Sequence, residues 1–153
     1  MKIIIDNIVV HFSNNSWDII KRFSSKKVNE NESGGILLGQ VVKNEVFIKS
    51  LSLPNKFDKA TKNSFNRNKD IAQIIVDYEF QNSSNKTIYI GEWHNHHEKK
   101  PSPSPTDMNM IKKQFLKNIY NTKYLIMLII GSEYIYVGLF YGTELKINYA
   151  ELI

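Results

Sequence analysis

His94 and His96 stand two residues apart in the segment GEWHNHHEKKPSPSPTD, residues 91–107. Side chains at i and i+2 of an extended chain point to the same face, so the two imidazoles converge. Ser104 follows His96 after seven intervening residues, and Asp107 comes three positions later. Ser104 can cap a helix that carries Pro105 in its first turn, which puts Asp107 at the same helix N-terminus. A loop bending back from the strand then brings Asp107 to the histidines. Two imidazole nitrogens and one carboxylate oxygen leave a fourth tetrahedral position for water, the pattern of a catalytic rather than a structural zinc. Histidines at a strand end and a Ser/Asp pair at a helix start are each ordinary. The four together at these intervals are not.

Hydrolysis at such a centre also needs a proton carrier, and one carboxylate can serve both the attacking water and the leaving amine. Two glutamates qualify. Glu92 shares the strand face of His94 and His96, whereas Glu32 precedes SGGILLG at the entrance to a strand. Gly34 and Gly35 permit close backbone approach there, so Glu32 could lean over a neighbouring strand's metal. Either is otherwise read as a solvated surface acid, and residue types alone leave the choice open.

The elements that must position these groups follow from periodicity. Residues 2–10 are β-branched enough to form one strand. Asn15 or Ser16 can cap a short helix through Trp17, Ile20 and Phe23. GGILLGQVV, a two-residue turn at Lys43 and Asn44, and EVFIKSLSL read as a hairpin. Residues 54–63 read as a lysine-rich mobile loop. Ile71, Ile74, Ile75 and Tyr78 recur at helical spacing, predicting an amphipathic helix over 67–81. Residues 86–93 form a strand, and the helix capped by Ser104 runs through Ile111, Phe115 and Ile119. Strands at 123–131, 133–141 and 144–150 close the chain. The order predicts an α+β domain, a mixed sheet layered with helices, with residues 1–153 as a single unit.

Composition narrows the function classes. The chain has no cysteine, which excludes a disulfide framework, a thiol nucleophile and any zinc site with sulfur ligands. A zinc deaminase, whose ligands include cysteines, is thereby excluded too. Net charge is +5 from 20 basic and 15 acidic side chains. Only Arg22 and Arg67 are arginines, however, and the pairs Lys26–Lys27, Lys99–Lys100 and Lys112–Lys113 lack interleaved aromatics, so a solvated lysine surface is expected rather than a nucleic-acid interface. Asp6 interrupts the apolar N-terminus and the longest apolar run spans only 124–130, too short for a membrane helix, so the protein is expected in the cytoplasm.

The combination of ESGGILLG with His-x-His, seven residues, Ser, two residues, Asp resembles the JAMM motif of the JAB/MPN metallopeptidases, over residues 32 to 107. That resemblance implies the MPN fold, a cytidine-deaminase-like mixed sheet layered with helices. It implies zinc (Zn2+) on His94, His96 and Asp107, Glu32 rather than Glu92 as general acid and base, and Ser104 stabilising the tetrahedral intermediate. YIGEWHNHHE with PSPS is similar to small bacterial JAB proteins found beside ubiquitin-like conjugation machinery, including that of CBASS antiphage operons. The implied activity is a zinc isopeptidase or peptidase cutting after the tail of a ubiquitin-like protein, with E1- and E2-like enzymes in the same pathway. The conjugated partner would be a protein such as a cyclic-nucleotide synthase. An extended tail is expected along the edge of the strand around residues 36–41. A catalytically silent MPN-like scaffold is the alternative, although no site residue is missing. Two positions depart from the pattern: Asn95 replaces the usual Ser or Thr, and His97 replaces the usual Pro. Alternation turns both away from the metal face.

Overall fold

The computed structural model describes residues 1–24, 30–118 and 122–153. Lys26, Lys27 and Ile119, singled out above, lie outside the described residues.

The N-terminal apolar run is two strands rather than one, β1 (Lys2–Ile5) and β2 (Ile8–Phe12), paired antiparallel with Ile5 opposite Ile8. The reversal occurs at Asp6 and Asn7, with Asp6 at φ 58°, a left-handed conformation that Asp tolerates better than a β-branched residue. Helix α1 (Asn14–Ser24) follows. Its start is held by Ser13, whose hydroxyl accepts from the Ser16 N–H at 3.1 Å, so the cap lies upstream of the two candidates read from the sequence.

The expected hairpin forms between β3 (Gly34–Val42) and β4 (Glu45–Leu51). The segment expected as a mobile loop, 54–63, instead carries β5 (Lys59–Ala60), which pairs with β6 (Phe65–Asn66) just beyond it. Helix α2 (Lys69–Asn82) is capped by the Asn68 side chain, which accepts from Ile71 N–H. Its face differs from the expected one. Ala72 is buried with Ile75 and Val76 packed near it, whereas Ile74 and Tyr78 are 63% and 64% exposed. Helical spacing names a stripe, but the sheet selects which flank of the stripe it covers.

Strand β7 (Ile88–Asn95), helix α3 (Pro105–Lys117) and strands β8 (Leu125–Ile130), β9 (Tyr134–Phe140) and β10 (Leu145–Glu151) complete the chain. The main sheet has eight strands in the order β1-β2-β4-β3-β7-β8-β9-β10, parallel at β2/β4 and β7/β8 and antiparallel elsewhere. Its outermost strands approach each other, with an Asp6–Lys146 ion pair and the Asn148 amide donating to the Ile4 carbonyl at 2.8 Å. Helix α1 covers one face. The other is covered by α2 and α3. Along β8, Ile126, Leu128 and Ile130 enter the first core while Leu125, Met127 and Ile129 enter the second, which accounts for an unbroken apolar strand.

Strand β3 lies between β4 and β7, with both of its ladders occupied. It is therefore not a free edge, and the expectation that an extended tail adds along residues 36–41 is overturned. Among the described residues, no helix is long and apolar enough to cross a membrane.

Candidate metal centre

The site is built where β7 runs out against the start of α3. An irregularity in β7 decides which face the histidines occupy. Leu37 pairs with Gly91, but Leu38 pairs with Tyr89, so Ile90 is an extra residue opposite β3. Tyr89 belongs to the core under α2 and α3, while Ile90 and Trp93, three apart, both enter the core under α1. The bulge has shifted the alternation by one residue, turning Glu92 and His94 to the face of α2 and α3. Gly91 makes this possible: it sits at φ 159°, and a Cβ there would lie 2.0 Å from the Ile126 carbonyl oxygen.

His94 is buried at 3% exposure and His96 just beyond the strand is half-buried, its N–H donating to the Ile130 carbonyl at 3.0 Å. The following loop is tied to the β8–β9 turn: Ser132 N–H donates to Glu98 O at 2.9 Å, and Tyr134 N–H donates to Lys99 O at 3.0 Å. The Tyr149 hydroxyl also donates to Pro101 O at 2.9 Å. These bonds order a loop that lacks the proline usual at position 97.

Ser104 caps α3 with Pro105 in its first turn, as expected. The capping box is complete, Ser104 Oγ accepting from Asp107 N–H at 3.1 Å and Asp107 Oδ2 accepting from Ser104 N–H at 2.8 Å. The box fixes the Asp107 carboxylate over the strand end, 3.2 Å from His94 Nε2 through Oδ1 and 3.2 Å from His96 Nε2 through Oδ2. The two Nε2 atoms are 3.1 Å apart. Four donors set tetrahedrally at ordinary zinc–ligand distances lie about 3.3 Å from one another, so this triangle has the right size for one face of such a set. The donor types fit as well: two imidazoles, one carboxylate and no sulfur. His94, His96 and Asp107 could thus hold a metal ion.

The carboxylate of the trio is held ionised. Burial pushes the Asp107 carboxyl up, but hydrogen bonds from His94 and His96 and from the Ser104 N–H outweigh it and hold the group well below the usual carboxylate range. Burial opposes charge on His96, yet its hydrogen bond to Asp107 and the nearby Glu32 leave its pKa raised.

Glu32 lies two residues before Gly34, which pairs with His94. A Cβ on Gly34 would stand 2.6 Å from the Trp93 carbonyl oxygen and 2.5 Å from the Phe65 ring, so glycine is what allows β3 to enter this closely. Glu32 Oε1 is 3.9 Å from His96 Nε2, and the residue is 6% exposed. It is therefore not a solvated surface acid. Burial raises its pKa, partly offset by His94 and His96.

Glu92 is also buried, but its carboxylate is engaged elsewhere. Arg67 grips it through Nε at 2.9 and 3.0 Å and Nη2 at 2.7 Å, and the Tyr89 hydroxyl donates to it at 2.6 Å. The geometry gives Glu92 a structural ion pair and leaves Glu32 beside the histidines. His97 stands outside the converging trio, and both its ring nitrogens are buried with no hydrogen-bond partner among the described residues. Sequence reasoning missed Arg67 and Thr61, whose carbonyl accepts from the Glu32 N–H at 2.8 Å. Arg67 had a signal, as one of two arginines in a lysine-rich chain; Thr61 had none.

An α+β mixed sheet with His94 and His96 at the end of β7, Asp107 at the start of α3 and Glu32 just ahead of β3 fits a JAB domain. The chain belongs to the family described as prokaryotic homologs of the JAB domain, whose model matches residues 20–141. It is 31% identical over 144 residues to a CD-NTase/cGAS isopeptidase of Escherichia coli strain TW11681, covering 92% of this chain and 87% of that protein. Proteins of the same name from Vibrio cholerae and Pseudomonas aeruginosa are 29% and 25% identical, over 70% and 88% of this chain and 66% and 85% of theirs. The solution structure of a Desulfitobacterium hafniense protein superposes with a TM-score of 0.62 at 16% identity, covering 94% of this chain and 91% of that one, a likeness of fold.

Proposed function

We propose that this protein is a zinc-dependent isopeptidase that hydrolyses the amide bond joining the C-terminal tail of a ubiquitin-like protein to a lysine of a conjugated partner. The observation that carries the reading is the convergence of His94, His96 and Asp107 with the Glu32 carboxylate 3.9 Å from His96. The relatives named as isopeptidases support the reaction class. Their shared name supports a CD-NTase as the class of conjugated partner; work beside E1- and E2-like enzymes in an antiphage conjugation system is part of the same proposal.

His94, His96 and Asp107 would hold the ion. When bound, zinc supplies Lewis acidity, polarising a scissile carbonyl and making water a nucleophile near neutral pH. Glu32 does the proton work: its carboxylate accepts a proton from the attacking water and delivers it to the departing lysine amine. A pKa raised by burial suits a group that must both take and give a proton. Ser104 contributes its hydroxyl hydrogen, since its oxygen accepts from Asp107 N–H while the O–H remains able to donate to the developing oxyanion.

The test is a model conjugate carrying a ubiquitin-like tail on a lysine. Zinc-loaded protein should cleave it, chelators should abolish cleavage, and thiol alkylators should do nothing because no cysteine exists to modify. Protein with one zinc equivalent that cleaves no tail offered would favour the silent scaffold.

Two further outcomes follow. Ser104→Ala should lower turnover by roughly 10²- to 10³-fold through loss of the oxyanion donor. It should also cost about 1 kcal/mol through loss of the helix cap. Ser104→Thr keeps both functions and should recover both, whereas an Ala variant that loses stability alone would restrict Ser104 to capping. His97→Pro should retain near one equivalent of zinc and activity within a small factor, because His97 lies outside the trio. Loss of zinc in that variant would show that the ligand assignment is wrong.

A further inference from the structure

We propose that Asn95, a buried residue that lies between His94 and His96 in the sequence, is a positioning residue that sets the place of the Glu32 carboxylate by clamping the peptide of Ser33. The proposal rests on the reading of Glu32 as the proton carrier.

Asn95 is 2% exposed and projects to the α1 face, on the opposite side of β7 from His94. Its backbone N–H donates to the Ser33 carbonyl at 2.9 Å. Its side-chain Oδ1 accepts from the Ser33 N–H at 2.6 Å, in a buried setting. One residue thus takes both backbone groups of Ser33. The β3/β7 register closes at Gly34 opposite His94, so regular pairing ends two residues short of Glu32. The Asn95 amide adds one more rung by substituting a side-chain carbonyl for the next main-chain acceptor. Its Nδ2 reaches the Phe23 carbonyl on α1 at 3.5 Å, which steadies the amide against rotation.

On its other side, the Glu32 N–H is held by Thr61 O at 2.8 Å. Glu32 is therefore anchored through its own amide and through the next residue, and the freedom left is that of its side chain. Serine or threonine, the usual occupant of position 95, carries its oxygen one bond closer to the backbone and spans a shorter gap. The longer amide reaches the Ser33 N–H at 2.6 Å. Because Asn95 faces away from the ligands, it acts on the position of Glu32 and not on the donor set. A misplacement of the order of an ångström at a reacting group is enough to cost roughly 10²-fold in rate.

The experiment compares Asn95→Ala, Asn95→Ser and Glu32→Gln in the full chain, reading zinc content, kcat and KM on the model conjugate, and hydrogen exchange at the Ser33 amide of metal-free and zinc-loaded protein. Asn95→Ala should lower kcat by roughly 10- to 100-fold with KM within about twofold and zinc unchanged. Ser33 exchange should accelerate by about tenfold or more in both metal states. Asn95→Ser keeps a hydroxyl acceptor and should recover part of both effects, and it gives a readout should the Ala variant fold poorly. Wild-type kcat in Asn95→Ala with Glu32→Gln inactive would overturn the clamp alone. Unchanged Ser33 exchange, zinc loss in parallel with kcat, or a rise in KM at constant kcat would overturn it as well. Glu32→Gln turning over at the wild-type rate would overturn the underlying reading of Glu32, and the inference with it.

Discussion

Glu32→Gln should leave zinc content and conjugate binding intact while lowering turnover by roughly 10²- to 10⁴-fold, the usual worth of a positioned acid or base. The substitution keeps side-chain length and hydrogen-bonding capacity but removes the group that exchanges a proton. Loss toward the upper end is expected because one carboxylate serves both water activation and amine protonation. Glu32 is not among the three converging donors, so metal should stay. Glu92→Gln is the control. It deprives the Arg67 guanidinium, 16% exposed, of its counter-charge, so its effect should appear in thermal stability before kcat. Full activity in Glu32→Gln beside a folded but dead Glu92→Gln would transfer the proton role to Glu92.

His94→Ala and Asp107→Ala should each drop bound zinc from near one equivalent to a small fraction and reduce hydrolysis to background. Three protein donors are the minimum of a catalytic zinc site, and two no longer hold the ion against competing ligands. Asp107→Ala also breaks the capping box, so Asp107→Asn, which keeps a cap-competent oxygen, separates loss of charge from loss of helix start. Metal binding should register as stability too. Zinc at about 100 times its dissociation constant adds about 2.7 kcal/mol, so chelation should lower the wild-type melting temperature and leave the His94→Ala value unmoved. Metal analysis giving substoichiometric zinc in wild type and variants alike would sink the assignment.

Much of this site is legible in the chain because its parts are local. The His-x-His pair, the Ser104 cap, Pro105 in the first turn and Asp107 three residues on are all set by geometry within a dozen or so residues. The same holds for the Lys43–Asn44 turn. Glu32 is different. Its distance from His96 depends on β3 pairing with β7 across some sixty residues, and from residue types Glu92 was as good a candidate.

Tertiary structure decided the rest, and each case has one cause: the partner of a strand, helix face or side chain is chosen by elements far away in sequence. Pairing on both sides removed β3 as an edge. The extra residue at Ile90, accommodated by Gly91 against β8, set which way Glu92 and His94 point, and no alternation rule applied from the sequence can register a bulge created by a neighbouring strand. Arg67 reached β7 and took Glu92 out of contention. Burial of α2 against the sheet left Ile74 and Tyr78 outside. Asn95, read from the sequence as a departure turned away from the metal, became the rung that ties Ser33 to β7, because a side-chain amide can continue a ladder where the main chain has ended. The chemistry of the donors was written in the order of residues; their convergence on one point was settled by packing.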